Sequence, residues 1–239
     1  MLQNNVLLNL VRNISSLLLI ICCMACEKER MEAPLSWSSI PLSDGMTQVF
    51  EINERKFIPY EPPKSRRFYL KMVFIADSLR FDNQVFIVEY YSATSLTTPW
   101  KLDSISLLKQ TLASFVMLEK NQWHTKLQFP LYTSKSWPMY AQNFGQDAVF
   151  AQVTSLFAEK QWKENVIPLV TEITYQSDSS LIHLQKHVEW YAPSIGLLEK
   201  YQVNLQYCEE SPDCVGLGII TNGYERKMSR IRLGNTLNN

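Results

Sequence analysis

The chain has 239 residues, with 23 Lys and Arg against 23 Asp and Glu, and 46% of it is hydrophobic. Balanced charge gives no electrostatic footprint for nucleic acid, and so much apolar chain excludes a disordered protein. The length suits one large domain or two small ones.

From Ile14 to Cys26 the residues are apolar or small and uncharged, after a polar stretch whose only charge is Arg12. This is the pattern of a positive n-region and a short h-region. A membrane-crossing helix needs about 20 apolar residues, and Glu27-Lys28-Glu29-Arg30 stops the run well short of that. Ala25 supplies the small residue that a signal peptidase requires. Ala25-Cys26 resembles the bacterial lipobox, with Cys23 standing where Leu is commonest. The resemblance implies a lipoprotein signal peptide over residues 1–25 and a diacylglyceryl thioether on Cys26. An ordinary secretory peptide cut near Ala25 is the alternative, and both imply export. Residues 26–35 then read as a lipidated N-terminus and charged tether, since two or more chains anchor a protein stably while its domain stays in water. The address expected is the cell envelope, on either the periplasmic or the surface face of the outer membrane. The partners expected are the membrane, through the lipid anchor, and a protein at the outer membrane, with no nucleic acid.

Three of the five cysteines fall in the export segment, which leaves Cys208 and Cys214. In an oxidising compartment this C-x5-C pair predicts a local disulfide pinning a turn. Two thiols without a neighbouring His or further Cys do not make a zinc site, and no metal or cofactor is expected.

Residues 36–233 read as a mainly β domain of antiparallel sheets with few short helices, followed by a flexible tail over 234–239. Runs of aromatic and β-branched residues at Gln48–Phe50, Arg67–Ala76, Gln84–Ser92, Leu112–Leu118, Trp123–Phe129, Val166–Tyr175, Leu181–Trp190 and Gly196–Tyr207 predict strands. Asp82-Asn83 and Ser177–Ser180 predict turns between them. Asp147–Lys160 fits a strand or a helical stripe, and strand is preferred. In Leu181–Tyr191, Ile182, Leu184, Val188 and Trp190 share one face and His183, Gln185, His187 and Glu189 the other, with Lys186 the misfit. Ile40-Pro41-Leu42 parallels Phe129-Pro130-Leu131, and Phe86–Ala93 parallels His187–Pro193. These pairs predict two similar β modules in series, about 36–125 and 126–233, as a sandwich or half-barrel; chance among aromatic-rich strands explains them equally well.

The segments Leu127–Trp137 with Asn143, Val188–Lys200, Glu89-Tyr90-Tyr91, Pro99-Trp100 and Glu119–Asn121 resemble a group of uncharacterised lipoproteins of Bacteroidota. The likeness runs from about Trp37 to Arg232 and implies an outer-membrane or cell-surface lipoprotein, without implying an activity. Ser134 stands where that group commonly has glycine, and Pro138-Met139 replaces a small polar pair. In Tyr191–Gly196, Pro193 fixes φ and Gly196 tolerates positive φ, so a turn between two strands is expected. Trp137 is expected to plug one end of the core.

No G-x-S-x-G, H-E-x-x-H, Walker loop or C-x-x-C occurs. His183 and His187 on one strand lie about 13 Å apart, too far to share an ion, and read as exposed polar residues. His124 has no acid partner visible in sequence. Glu209, Glu210 and Asp213 read as a solvated acidic turn rather than a calcium or acid–base site. The six tryptophans read as core or sheet-edge aromatics rather than a sugar platform. Asp77-Ser78-Leu79 and Asp103-Ser104-Ile105 match the loose Asp-Ser-apolar glycosylation pattern of Bacteroidota, which occurs readily by chance. Arg226, Lys227, Arg230 and Arg232 read as a solvated edge strand. The leading expectation is a non-enzymatic, lipid-anchored binding or accessory module. A carrier of an apolar ligand, on a curved half-barrel lined by Phe74, Phe86, Val88 and Trp190, is the alternative. A hydrolase would require a cleft joining a histidine to an acid and a nucleophile.

Overall fold

The computed structural model describes residues 40–77, 84–119, 121–140, 149–193 and 195–232. Cys26, the export segment, the tether, the tail, Trp37, Ser78, the Asp82-Asn83 turn and Asn143 lie outside the described residues.

All twelve strands form one antiparallel sheet. They are β1 (Thr47–Phe57), β2 (Lys64–Ala76), β3 (Gln84–Ala93), β4 (Lys101–Gln110), β5 (Ser114–Glu119), β6 (Gln122–Gln128), β7 (Ser136–Pro138), β8 (Phe150–Trp162), β9 (Asn165–Ser179), β10 (His183–Ala192), β11 (Gly196–Tyr207) and β12 (Ile220–Arg230). The order β6-β5-β4-β3-β2-β1-β12-β11-β10-β9-β8-β7 is two meanders joined where β1 pairs β12. The far edges nearly meet. A bridge between His124 and Tyr140, the Thr125 amide donating to Met139 O at 2.8 Å, and Trp137 Nε1 donating to Thr125 O at 2.9 Å draw the sheet almost into a barrel. Near closure leaves little exposed edge to pair with other chains.

Mainly β with half-barrel curvature is the architecture seen. One sheet replaces the sandwich option, and no helix occurs among the described residues. The suggested module boundary at 125/126 falls inside β6. β8 settles most of Asp147–Lys160 as strand. The basic cluster is corrected: β12 is central rather than an edge, flanked by β1 and β11. Arg230 is fully buried, donating to the carbonyls of Arg232 and Ile195, and burial pushes its guanidinium down to about 10.

Alternate residues point inward. Phe50, Ile52, Met72, Phe74, Leu108 and Phe115 form the heart of the main core, while Asn53, Arg55 and Arg67 point out. Trp137 is 1% exposed, in the core as expected. The β8–β9 pair carries three register shifts and positive φ at Phe157 and Leu169. Such bulges bend a hairpin. Its distal part brings Trp162, Ile167 and Val170 onto Ala192 and Leu198, with Trp190 alongside, as a separate cluster. Lys160 Nζ pairs with Glu199 at 3.0 Å and Lys163 Nζ donates to Ile231 O at 2.8 Å, fastening that arm.

The turn expected at Ser177–Ser180 is corrected: Ser177, Asp178 and Ser179 continue β9 and pair with Lys186, Gln185 and Leu184, which leaves residues 180–182 as the connection to β10. Gly196 has φ of 84°, and a Cβ there would meet Ile40 Cγ2 at 3.0 Å, so the β10–β11 turn also admits the Ile40 strap close against it. Cys208 and Cys214 are bonded across the β11–β12 loop, their Cα atoms 5.7 Å apart. The acidic residues of that loop stay at the surface: Glu210 accepts from Tyr60 and Glu209 from Gln206.

Candidate ligand cavity

Inside the barrel lies a cavity of about 260 Å³. Its apolar wall comes from β1, β2, β5 and β12, with Ile52, Leu70, Met72, Phe74, Phe115 and Met228 prominent. The strap before β1 adds Ile40 and Leu42; Gln110 clasps the Ile40 backbone from both sides, accepting from its N–H at 3.1 Å and donating to its carbonyl at 3.0 Å. Gln48, 3% exposed, also lines the cavity and brings an amide to it.

Beside these apolar residues the lining is charged. Glu119 (β5), Lys126 (β6), Glu189 (β10) and Lys200 (β11) all face the interior. The side chain of Lys126 is 1% exposed, and its ammonium lies 2.9 Å from Glu119 and 3.3 Å from Glu189. Glu189 also takes Lys200 at 3.3 Å, His187 Nε2 at 2.9 Å and the Tyr191 hydroxyl. Tyr175 donates to Lys126 O at 2.8 Å.

These contacts decide protonation. Burial opposes charge on Glu189, but the ammoniums of Lys126 and Lys200 and the His187 bond outweigh it and hold its carboxyl well below the usual range. Burial likewise opposes charge on Lys126, yet Glu189 and Glu119 keep its ammonium protonated above the ordinary range. Burial, then the Glu189 charge, pushes Tyr175 and Tyr191 well up, so both hydroxyls keep their protons. Burial pushes His187 and His124 down, so both rings are neutral at neutral pH. A second group, Glu54 between Arg66 and Arg226, each Nε at 2.6 Å from a carboxylate oxygen, stands where Arg226 joins the cavity wall.

Two histidine readings change. His183 is half-buried at the surface, its Nε2 2.8 Å from Asp178, whereas His187 turns inward to Glu189 with its side chain 12% exposed. His124 is also buried, its Nδ1 3.5 Å from Glu119 Oε2, an acid neighbour the sequence did not reveal. That separation is too long for a hydrogen bond, and neither ring nitrogen has one.

The face assignment of β10 was inverted for a physical reason. On its apolar side Trp190 and Ala192 are covered by the folded-over β8–β9 arm, which leaves the polar side to face the interior. Trp190 is therefore corrected: it lies on the face away from the cavity. Of the other expected lining residues, Phe74 lines the cavity, whereas Phe86 and Val88 are packed in the core beside it.

No family model, curated protein or solved structure matches this chain. Lys126 is held as an ammonium without a free lone pair, and Glu189, its carboxyl held well below the usual range, is a weak base. Among the described residues, no Ser, Thr or Cys lines the cavity, and no cluster of three or more His, Cys, Asp and Glu is placed to hold a metal.

Proposed function

We propose that this protein is a lipid-anchored carrier of the bacterial cell envelope, exported by its N-terminal segment, tethered through Cys26, and holding an apolar small molecule inside its barrel. The observation that carries the reading is the cavity: about 260 Å³, lined by strands and the Ile40 strap, largely apolar with a cluster of charged side chains. Ligand sites are concave and mostly apolar, with a few placed polar groups that orient the occupant. The inward apolar and outward charged alternation of β1 and β2 is the reverse of a membrane barrel's lipid-facing band, which supports a domain in water beside the membrane. The Ala25-Cys26 pattern and the likeness to Bacteroidota lipoproteins support the anchor. The saturated contacts of Glu189 and Lys126 favour binding over catalysis.

Native mass spectrometry of the full chain recovered from membranes in mild detergent tests this directly. The expected species begins at Cys26, carries the diacylglyceryl mass, and retains one non-covalent small-molecule adduct. Recovery only from the soluble fraction, with an unmodified N-terminus and no adduct, contradicts it.

A further inference from the structure

At the charged wall, donors outnumber acceptors. Glu189 Oε1 receives His187, Lys126 and Lys200, and Tyr191 donates to its other oxygen; each carboxylate oxygen offers about two lone-pair sites, so Oε1 has more donors than it can serve. Lys126 is consumed by Glu119 and Glu189, with the Tyr175 ring 5.1 Å away. Lys200 is different. Its ammonium meets a single carboxylate oxygen at 3.3 Å and keeps its remaining donors for the cavity. Gln202, one inward position along β11, also lines the cavity, and its amide has no hydrogen-bond partner among the described residues.

We propose that the cavity takes a medium-chain carboxylate, its head held by Lys200 and Gln202 and its alkyl chain lying against Ile52, Leu70, Met72 and Phe115. This rests on the carrier reading above and adds the ligand class. An engineered apolar cavity of about 150 Å³ holds benzene, and the same ratio gives this one room for about ten non-hydrogen atoms, the size of octanoate. A carboxylate brings two acceptor oxygens, and a charge opposite to that of the Lys200 ammonium, to these spare donors. An alcohol answers only the donors, and an amine brings a like charge to Lys200.

Calorimetric titration of the full chain with octanoate, octanol and octylamine separates these cases. The expected result is octanoate binding about tenfold or more tighter than octanol, a difference of about 1.4 kcal/mol, with octylamine weakest. Lys200→Met is expected to erase the preference while octanol still binds, and Gln202→Leu to weaken octanoate about threefold, with thermal melting verifying that each variant folds. Equal binding of octanol and octanoate overturns the head-group assignment and leaves the carrier reading standing. Binding of none of the three overturns both. Should Lys200→Met fail to fold, the ligand series on the unaltered chain and Gln202→Leu decide the matter. An undiminished octanoate preference in the folded Lys200→Met protein overturns the placement of the head.

Discussion

Glu189→Ala is expected to cost about 3–5 kcal/mol of folding stability, the range for breaking a buried ion pair by deleting one partner. The loss exceeds that of a surface pair because Glu189 is 2% exposed and accepts from four groups, and its removal leaves the buried Lys126 with Glu119 alone. Urea unfolding measures it through the midpoint. Glu189→Gln should cost less, since the amide oxygen still accepts while the charge is gone. The pH dependence follows from the same groups. Glu189 and Glu119 titrate below their ordinary value of 4.5 in the fold, so their contribution is present above about 4.5 and lost as pH falls through the lowered values. His187 and His124 titrate below 6.5 because burial favours the neutral ring, so stability falls as pH drops from about 6.5. Melting temperature should therefore decline in two stages on acidification, and a flat profile down to about pH 5 would contradict the burial of both rings. Replacing a buried ion pair by packed apolar side chains is often neutral or stabilising. Stability alone therefore does not account for this wall.

Gly223→Ala is expected to cost at least about 3 kcal/mol, or to abolish folding. Gly223 sits within β12, opposite Phe57 on one side and Leu205 on the other, in the strand that joins the two meanders. Its φ is 125°, and a Cβ would fall 2.0 Å from Asn204 O and 2.9 Å from Leu205 Cα. Those are backbone atoms of the neighbouring strand and cannot swing aside, so the β11–β12 ladder itself must separate. Gly45→Ala is the contrast. Its φ is 71° with nothing within 4 Å of the added carbon, so only the left-handed backbone is penalised, by about 1–2 kcal/mol. Urea midpoints of the two variants, or soluble yield where Gly223→Ala does not fold, measure the difference.

The strand content was legible because alternation and turn residues are local properties. β2, β3, β6 and β11 lie close to their expected bounds, and the Pro193–Gly196 turn and the Cys208–Cys214 bond are as expected. β4 escaped notice because its first half, Lys101–Ile105, is exposed and mixed in character. The place of β12 was not legible: charge on a strand suggests an edge, but here Arg226 is matched by Glu54 on the adjacent strand, and pairing between residues 172 apart in sequence leaves no local trace. The cavity wall was hidden for the same reason. Glu119, Lys126, Glu189 and Lys200 are single charges on four strands, and each looks solvated until the sheet curls and sets them against one another. His187 and Glu189 on one face of β10 carried the only local signal. It pointed outward because apolar residues are normally the ones that face the core, and the β8–β9 arm reverses that rule by covering β10 from outside.

The most direct test of the central claim, that one apolar molecule is held inside the barrel, is a fluorescence titration of the full chain with the apolar dye 1-aminoanthracene, set beside the Leu70→Trp variant. Leu70 lines the cavity and is only partly buried, so Trp fills the space without displacing the tightest part of the core. The account predicts one saturable site with blue-shifted emission in the unaltered protein, and its loss in Leu70→Trp at an unchanged melting temperature. Absence of a saturable site, or equal dye affinity in the variant, would contradict it.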